Sequence, residues 1–370
     1  MALKMLVLVP SFRKESPIEG IFIFARQAQA MGAEVTFASV DSELIHGPNL
    51  LNEIDDSGLP HVSFGAQKWR GLPAATRRLR QYIRTECVDV VLSCLMRADL
   101  LNALAPGPFR ASSQRIATRE GLRLSHAKWL AAVGSTIHSA ALRRMDCIFS
   151  MSEEMAEYLL SEGIDQSQLF NVNNFVDVEG FQAFTGHNRL ADEVNLGLFG
   201  RLIARKRVDV ALHAFAELLG QNGMESVRLH VAGDGPLRED LIGISEDLEL
   251  GDQVCFHGHL DNPFPLMSRM DLVLLTSEAE GTPRCLMEAM SMGKTCVTSD
   301  IAGVRHLVVE GLTGYRFRPG DSTDLANRLR HIITMKQYIP SGDLFDFMKS
   351  NFDAEVCSRK MLTYLEDLYS

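Results

Sequence analysis

Between Asn195 and Gly303 a short apolar run ends five times in a loop that carries glycine. The runs are Asn195–Phe199, Arg228–Ala232, Gln253–His257, Leu272–Leu275 and Cys296–Thr298, and their loops hold Gly200, Gly233, Gly258, Gly281 and Gly303. Runs this short, bounded by turn residues, read as buried strands. Helical segments such as Val208–Leu219 and Leu237–Ile244 separate them, so successive strands run parallel. In a parallel sheet all the carboxyl ends face one crevice, which is where ligands of open α/β sheets bind.

The first half repeats the pattern. Strand Lys4–Pro10, loop Ser11–Glu19, helix Ile21–Met31 and strand Glu34–Ser39 make a βαβ unit. Gly20, placed before that helix, lets a backbone N–H approach a phosphate or simply closes a turn. Further strands are expected at Val88–Ser93, Arg115–Thr118 and Cys147–Met151, with Ser152 capping helix Glu153–Glu162. Phe175–Leu190 reads as a crossing between domains. At 370 residues the chain is long enough for two cores. The expected domains are 1–180 and 190–350, both α/β.

Hydrophobic content is 46% and no run reaches the length of a membrane helix. Met5–Val9 is too short for a signal peptide. Seven cysteines lie singly, which points to a reducing compartment and a cytoplasmic protein, at the inner face of a membrane if anywhere on one. The net charge of −10 disfavours nucleic acid. Yet Gly58–Thr85 holds no acid while Lys68, Arg70, Arg77, Arg78, Arg80 and Arg84 are present, with Trp69 and Tyr82 among them. A second basic run holds Arg110, Arg115, Arg119, Arg123 and Lys128. Lys68–Arg84 is either a solvated helix face or a contact for an anionic membrane surface or acceptor.

The chemistry concentrates in Leu275–Val297. The strand breaks into the turn Thr276–Pro283, a helix starts near Arg284 and Gly293 ends it. Strand, glycine turn and helix N-terminus together present backbone N–H groups to an anion. Glu280 and Glu288 flank that turn. Carboxylates accept strong hydrogen bonds from sugar and ribose hydroxyls, so the turn fits a phosphate that carries hydroxyls. Arg201 and Lys206, in the loop after Phe199, can clamp a diphosphate. Arg238 stands where the third glycine of a dinucleotide fingerprint would follow Gly233-Asp234-Gly235. No Asp-x-Asp pair or Walker loop occurs, so cations for a leaving diphosphate come from the protein.

Gly200-Arg201-Leu202 with Lys206, Ala232–Pro236, Glu280-Gly281-Thr282-Pro283 with Glu288-Ala289-Met290, Gly293, Gly303 and Gly311–Gly314 resemble the family 4 retaining glycosyltransferases. The likeness is strong from Asn195 to Asp321 and faint before Arg143. It implies the GT-B fold, two Rossmann-like domains facing a cleft, with an N-terminal acceptor domain and a C-terminal donor domain. The final helix, about 354–370, would return to the first domain. Arg201, Lys206 and Glu280 would be catalytic. Gly20, Gly233, Gly281, Thr282, Pro283, Arg284, Cys285, Leu286 and Glu288 would bind the donor, with Glu288 on the ribose. Where members often carry an acceptor-side His, this chain has Arg119 or Glu120, with His126 nearby. His306 stands where the family often has Glu.

The resemblance implies metal-independent, retaining transfer from a nucleotide sugar, a UDP- or GDP-sugar, to a glycan or lipid-linked acceptor, with no further cofactor. Bacterial polysaccharide or glycolipid assembly is the expected setting. A sugar-nucleotide epimerase of the same fold would need no acceptor. A catalytically inactive binding protein would have no reason to keep Arg201, Lys206, Glu280 and Glu288 together.

Overall fold

The alternation along the first strand places the first core. Met5, Val7 and Val9 face one side of the sheet, where they pack with Phe24 and Met361. Leu6 and Leu8 face the other, with Leu79 and Ala98. A strand apolar on both faces is what a doubly covered parallel sheet requires. The computed structural model describes residues 2–41, 49–66, 69–105, 108–114, 136–185 and 193–369.

Seven parallel strands form this sheet: β1 (Lys4–Val9), β2 (Glu34–Ser39), β3 (His61–Ser63), β4 (Val90–Cys94), β5 (Phe109–Gln114), β6 (Cys147–Ser150) and β7 (Leu169–Asn171). Their order is β3-β2-β1-β4-β5-β6-β7. The sheet belongs to a unit made of Met1–Val176 and Asp353–Ser370. The final helix, Ala354–Tyr369, lies against helix Ser16–Ala30 and buries Met361 and Leu365 completely. Each such side chain contributes ~1.5–3 kcal/mol. Tyr364 stacks on Phe170 at 4.0 Å, and the Tyr369 hydroxyl donates to Asp89 at 2.6 Å.

The second unit is Asp177–Phe352. Its sheet contains β8 (Val194–Phe199), β9 (Val227–Ala232), β10 (Val254–Gly258), β11 (Leu272–Leu275), β12 (Thr295–Ser299) and β13 (Gly314–Phe317). All pairings are parallel, in the order β10-β9-β8-β11-β12-β13. The order reverses between β8 and β11, which makes their carboxyl ends the switch point.

Two expectations change, and one falls outside the described residues. The first helix begins at Ser16, not Ile21, because Pro17 suits a first helical turn and Glu15 is extended before it. Gly20 is therefore a buried residue inside the helix, and its N–H falls in the i→i−4 ladder rather than facing a ligand. The strand beside β4 is Phe109–Gln114, while Arg115–Thr118 lies outside the described residues. Its polar run is buried because Ser112 and Gln114 donate to the fully buried Asp99, as do Ser93 and His138. Finally, the chain enters the second unit at Asp177, where the short helix Glu179–Phe184 sets Phe181 against Phe264. Ser152 does cap helix Glu153–Ser161, accepting from the Met155 N–H.

Candidate functional site

The loops after β8, β9 and β10 are laced by backbone hydrogen bonds. Gly200 N–H donates to Ala232 O at 3.0 Å, Leu202 N–H to Asp234 O at 2.9 Å, and Gly233 N–H to Gly258 O at 2.7 Å. Approach this close needs glycine. A Cβ on Gly233 would stand 1.8 Å from the Gly200 carbonyl oxygen, and Gly233 has φ 144°. The floor so formed opens into a cavity of about 500 Å³, lined by Gly200, Arg201, Gly233, Cys285 and Glu288, with His259, Leu260, Pro263 and Met267 on the far wall.

Arg201 is exposed on this wall and makes no ion pair among the described residues. Glu288 comes from helix Arg284–Ser291. Its neighbours Leu286, Met287, Ala289 and Met290 are buried on the opposite face, which turns its carboxylate to the cavity. Arg284 Nε bonds it at 3.2 Å. Burial pushes the Cys285 thiol up to about 11, which Lys206 opposes and Glu280 and Glu288 reinforce. It is a neutral wall at physiological pH.

Lys206 sits at the end of a short 3₁₀ turn, Ala204–Lys206, and reaches Gly200. Its ammonium lies 3.7 Å from where a Gly200 side chain would begin. Lys206 Nζ meets Glu280 Oε1 at 2.7 Å, and Arg205 meets the same oxygen at 3.0 Å. Burial works to raise the Glu280 carboxyl, but the charges of Lys206 and Arg205 outweigh it and hold the group below its ordinary value. Glu280 is thus an ionised carboxylate shared by two cations. Gly303 makes room for its turn: a Cβ there would lie 2.0 Å from both the Glu280 and Gly281 carbonyl oxygens. Thr282 Oγ1 lies 3.3 Å from His306 Nε2, so His306 supports the turn.

Arg201, Lys206, Glu280, Gly233, Cys285 and Glu288 therefore gather around one corner of the sheet, with Gly281, Thr282, Pro283 and Arg284 in the adjoining turn and first helical turn. One expected donor contact does not join them. Leu286 is fully buried and its N–H bonds the Pro283 carbonyl, because the helix turns inward there. Gly20 belongs to the first unit, buried within helix Ser16–Ala30. Arg119, Glu120 and His126 lie outside the described residues. Arg205 was missed. Its only sequence signal is its place in Arg205-Lys206-Arg207, and its partners lie more than seventy positions on. The wall His259–Met267 is not marked in the sequence, because the loop after β10 carries only His259 and Asp261, which pair with each other.

Residues 186–340 match the family model described as glycosyl transferases group 1, and residues 24–174 match the glycosyl transferase 4-like domain. These spans take in most of the sequence, and the chain belongs to the group 1 glycosyltransferases. Among curated proteins it is 33% identical to N-acetyl-alpha-D-glucosaminyl L-malate synthase of Bacillus anthracis, over 33% of this chain and 32% of that one. It is 27% identical to the lipopolysaccharide 1,6-galactosyltransferase of Salmonella typhimurium, over 53% of this chain and 55% of that one. The chain thus spans from a third to about half of the length of these relatives. Among solved structures, Anabaena HepE in complex with UDP superposes with a TM-score of 0.82 at 18% identity, covering 99% of this chain and all of that one. The two parallel-sheet, Rossmann-like units are those of the GT-B fold.

Proposed function

We propose that the protein transfers a sugar, with retention and without a metal ion, from a nucleoside-diphosphate sugar to a glycan or lipid-linked acceptor. The observation that carries this reading is that Lys206, paired with the ionised Glu280, lies by Gly200, whose neighbour Arg201 lines the cavity that holds Glu288. Arg201 and Lys206 bind the diphosphate, and Lys206 neutralises the charge that develops as it leaves. Glu288 accepts from the ribose hydroxyls and Glu280 from the sugar. The N–H groups of Arg284 and Cys285, in a first helical turn, are placed for phosphate oxygens. Retention follows from the family 4 resemblance, and the anomeric coupling of the product reads it.

HepE was solved with UDP, so a UDP-sugar is the first donor to test. Thermal melting with UDP-, GDP- and ADP-sugars, without metal, is the experiment. A ligand at a hundred times its Kd stabilises the fold by ~2.7 kcal/mol, which for a unit of this size raises Tm by about 5–10 °C. One clear responder fixes the nucleotide. No response from any, with a cooperative melt, removes the donor assignment.

The curated relatives include a lipopolysaccharide galactosyltransferase, which makes a membrane-presented acceptor the reading for this chain too. Helix Leu72–Glu86 buries Ala75, Thr76, Leu79 and Ile83 and leaves Arg77, Arg80 and Arg84 exposed, with no ion pair among the described residues. Lys68 lies outside the described residues. Each such Arg adds ~1 kcal/mol of attraction to an anionic leaflet. Sedimentation with phosphatidylglycerol vesicles should exceed that with phosphatidylcholine, and replacing the three arginines by Gln should abolish the difference. Equal sedimentation with both lipids would remove the membrane contact.

A further inference from the structure

The turn that carries Glu280 is fastened to the loop after β8 by more than one bond. The Glu278 N–H donates to the Arg205 carbonyl at 2.9 Å, and the Thr276 hydroxyl donates to the Lys206 carbonyl at 2.9 Å. Arg207 pairs with Glu278 at 2.6 Å. The Arg205 guanidinium then returns to the same turn, donating to the Ala279 carbonyl and meeting Glu280 Oε1. Among the described residues Lys206 has one carboxylate partner, Glu280. Arg205 is therefore tethered on a backbone carbonyl as well as on the carboxylate, whereas Lys206 can leave.

This difference matters when an anion arrives. Glu280 has a side chain only 10% exposed. Were Arg205 absent, a diphosphate that draws the Lys206 ammonium away would leave a buried carboxylate without a counter-charge, which is strongly unfavourable. From this geometry we infer that Arg205 is a positioning residue that holds Glu280 ionised and in place and so frees Lys206 for the ligand's phosphates. The inference rests on the donor reading above. Arg205 touches neither phosphate nor sugar; it acts through Glu280.

The other charged or titratable groups around Glu280 are common to every variant in the test. Glu278 is paired with Arg207, Cys285 is a neutral thiol, Glu288 is bonded by Arg284, and His306 bonds Thr282. Their contributions cancel when variants are compared at one pH.

The experiment is a double-mutant cycle read by calorimetric titration with UDP, GDP and ADP, on full-length protein whose melting confirms the fold. In the parent protein Arg205→Gln makes Lys206 the sole counter-ion of Glu280, and nucleotide binding weakens about tenfold, or ~1.4 kcal/mol. In the Glu280→Gln background there is no carboxylate to compensate, and the same substitution changes affinity less than about twofold, the scatter expected of uncoupled sites. Arg205→Lys, which keeps the charge, restores part of the affinity. Acidification narrows the Arg205→Gln deficit relative to the parent, because that variant's Glu280 has lost one of the cations that hold its carboxyl down. A tenfold loss of equal size in both backgrounds would mean that Arg205 contacts the ligand or merely supports the fold, and the inference would fall. No binding by the parent would overturn the donor reading and this inference together.

Discussion

Lys206→Ala lowers turnover at least a hundredfold, at ~2.7 kcal/mol or more of transition-state stabilisation, the loss typical of one preorganised donor to a developing anion. The size follows from where the ammonium sits. Its side chain is 15% exposed, and it stands at the switch point beside Gly200, so its charge is little screened by water. The fold should survive the change, because Arg205 remains on Glu280 and the carboxylate keeps a counter-charge. Release of nucleoside diphosphate from the responding donor sugar measures the effect, with the melting temperature as control. Arg201→Ala should cost less, since Arg201 is exposed. Near-normal turnover in Lys206→Ala would sink the leaving-group assignment.

The second unit was largely legible because its strands are apolar and its loops are marked by glycine. Helix Val208–Leu219 and strand Leu272–Leu275 stand where the sequence pattern puts them. There the local signal and the tertiary requirement agree, since a central parallel strand must be apolar on both faces. Agreement fails where burial is polar. Phe109–Gln114 is a buried strand whose sequence resembles a loop, because its side chains serve the buried Asp99. It fails again at Gly20, where a loop was expected although Pro17 favours a helical start.

The site was legible in its members more than in its pairing. Glycines and charges near strand ends are visible along one chain. Which of them touch depends on which loops stack, and that is set by strand order. Because β8 lies next to β11, the loop holding Arg205 and Lys206 meets the turn holding Glu280. Nothing in Arg201–Arg207 distinguishes Arg205 from its basic neighbours. Only the second tether, to the Ala279 carbonyl, gives it a separate role.

Two Gly→Ala substitutions in the second unit should act with opposite sign. Gly233→Ala destabilises by ~3 kcal/mol or more, from a left-sided backbone angle that L residues rarely adopt and from overpacking. The added Cβ would meet the Gly200 carbonyl oxygen at 1.8 Å, and that atom is backbone, held by the same lacing that forms the cavity floor. Relief requires the loops after β8 and β9 to part, which moves Arg201 and the turn leading to Lys206. At ~2–4 °C per kcal/mol for a unit of this size, Tm falls by about 6–12 °C and the response to nucleotide goes with it. Gly243→Ala lies inside helix Arg238–Asp247 with nothing within 4 Å of the new methyl, so it gains helix propensity of ~1 kcal/mol and leaves the response intact. Melting both variants with and without the responding nucleotide separates the effects. If Gly233→Ala melted like the parent and still responded, the loops would not be packed on glycine, and the cavity floor would have to be held by something other than this backbone lacing.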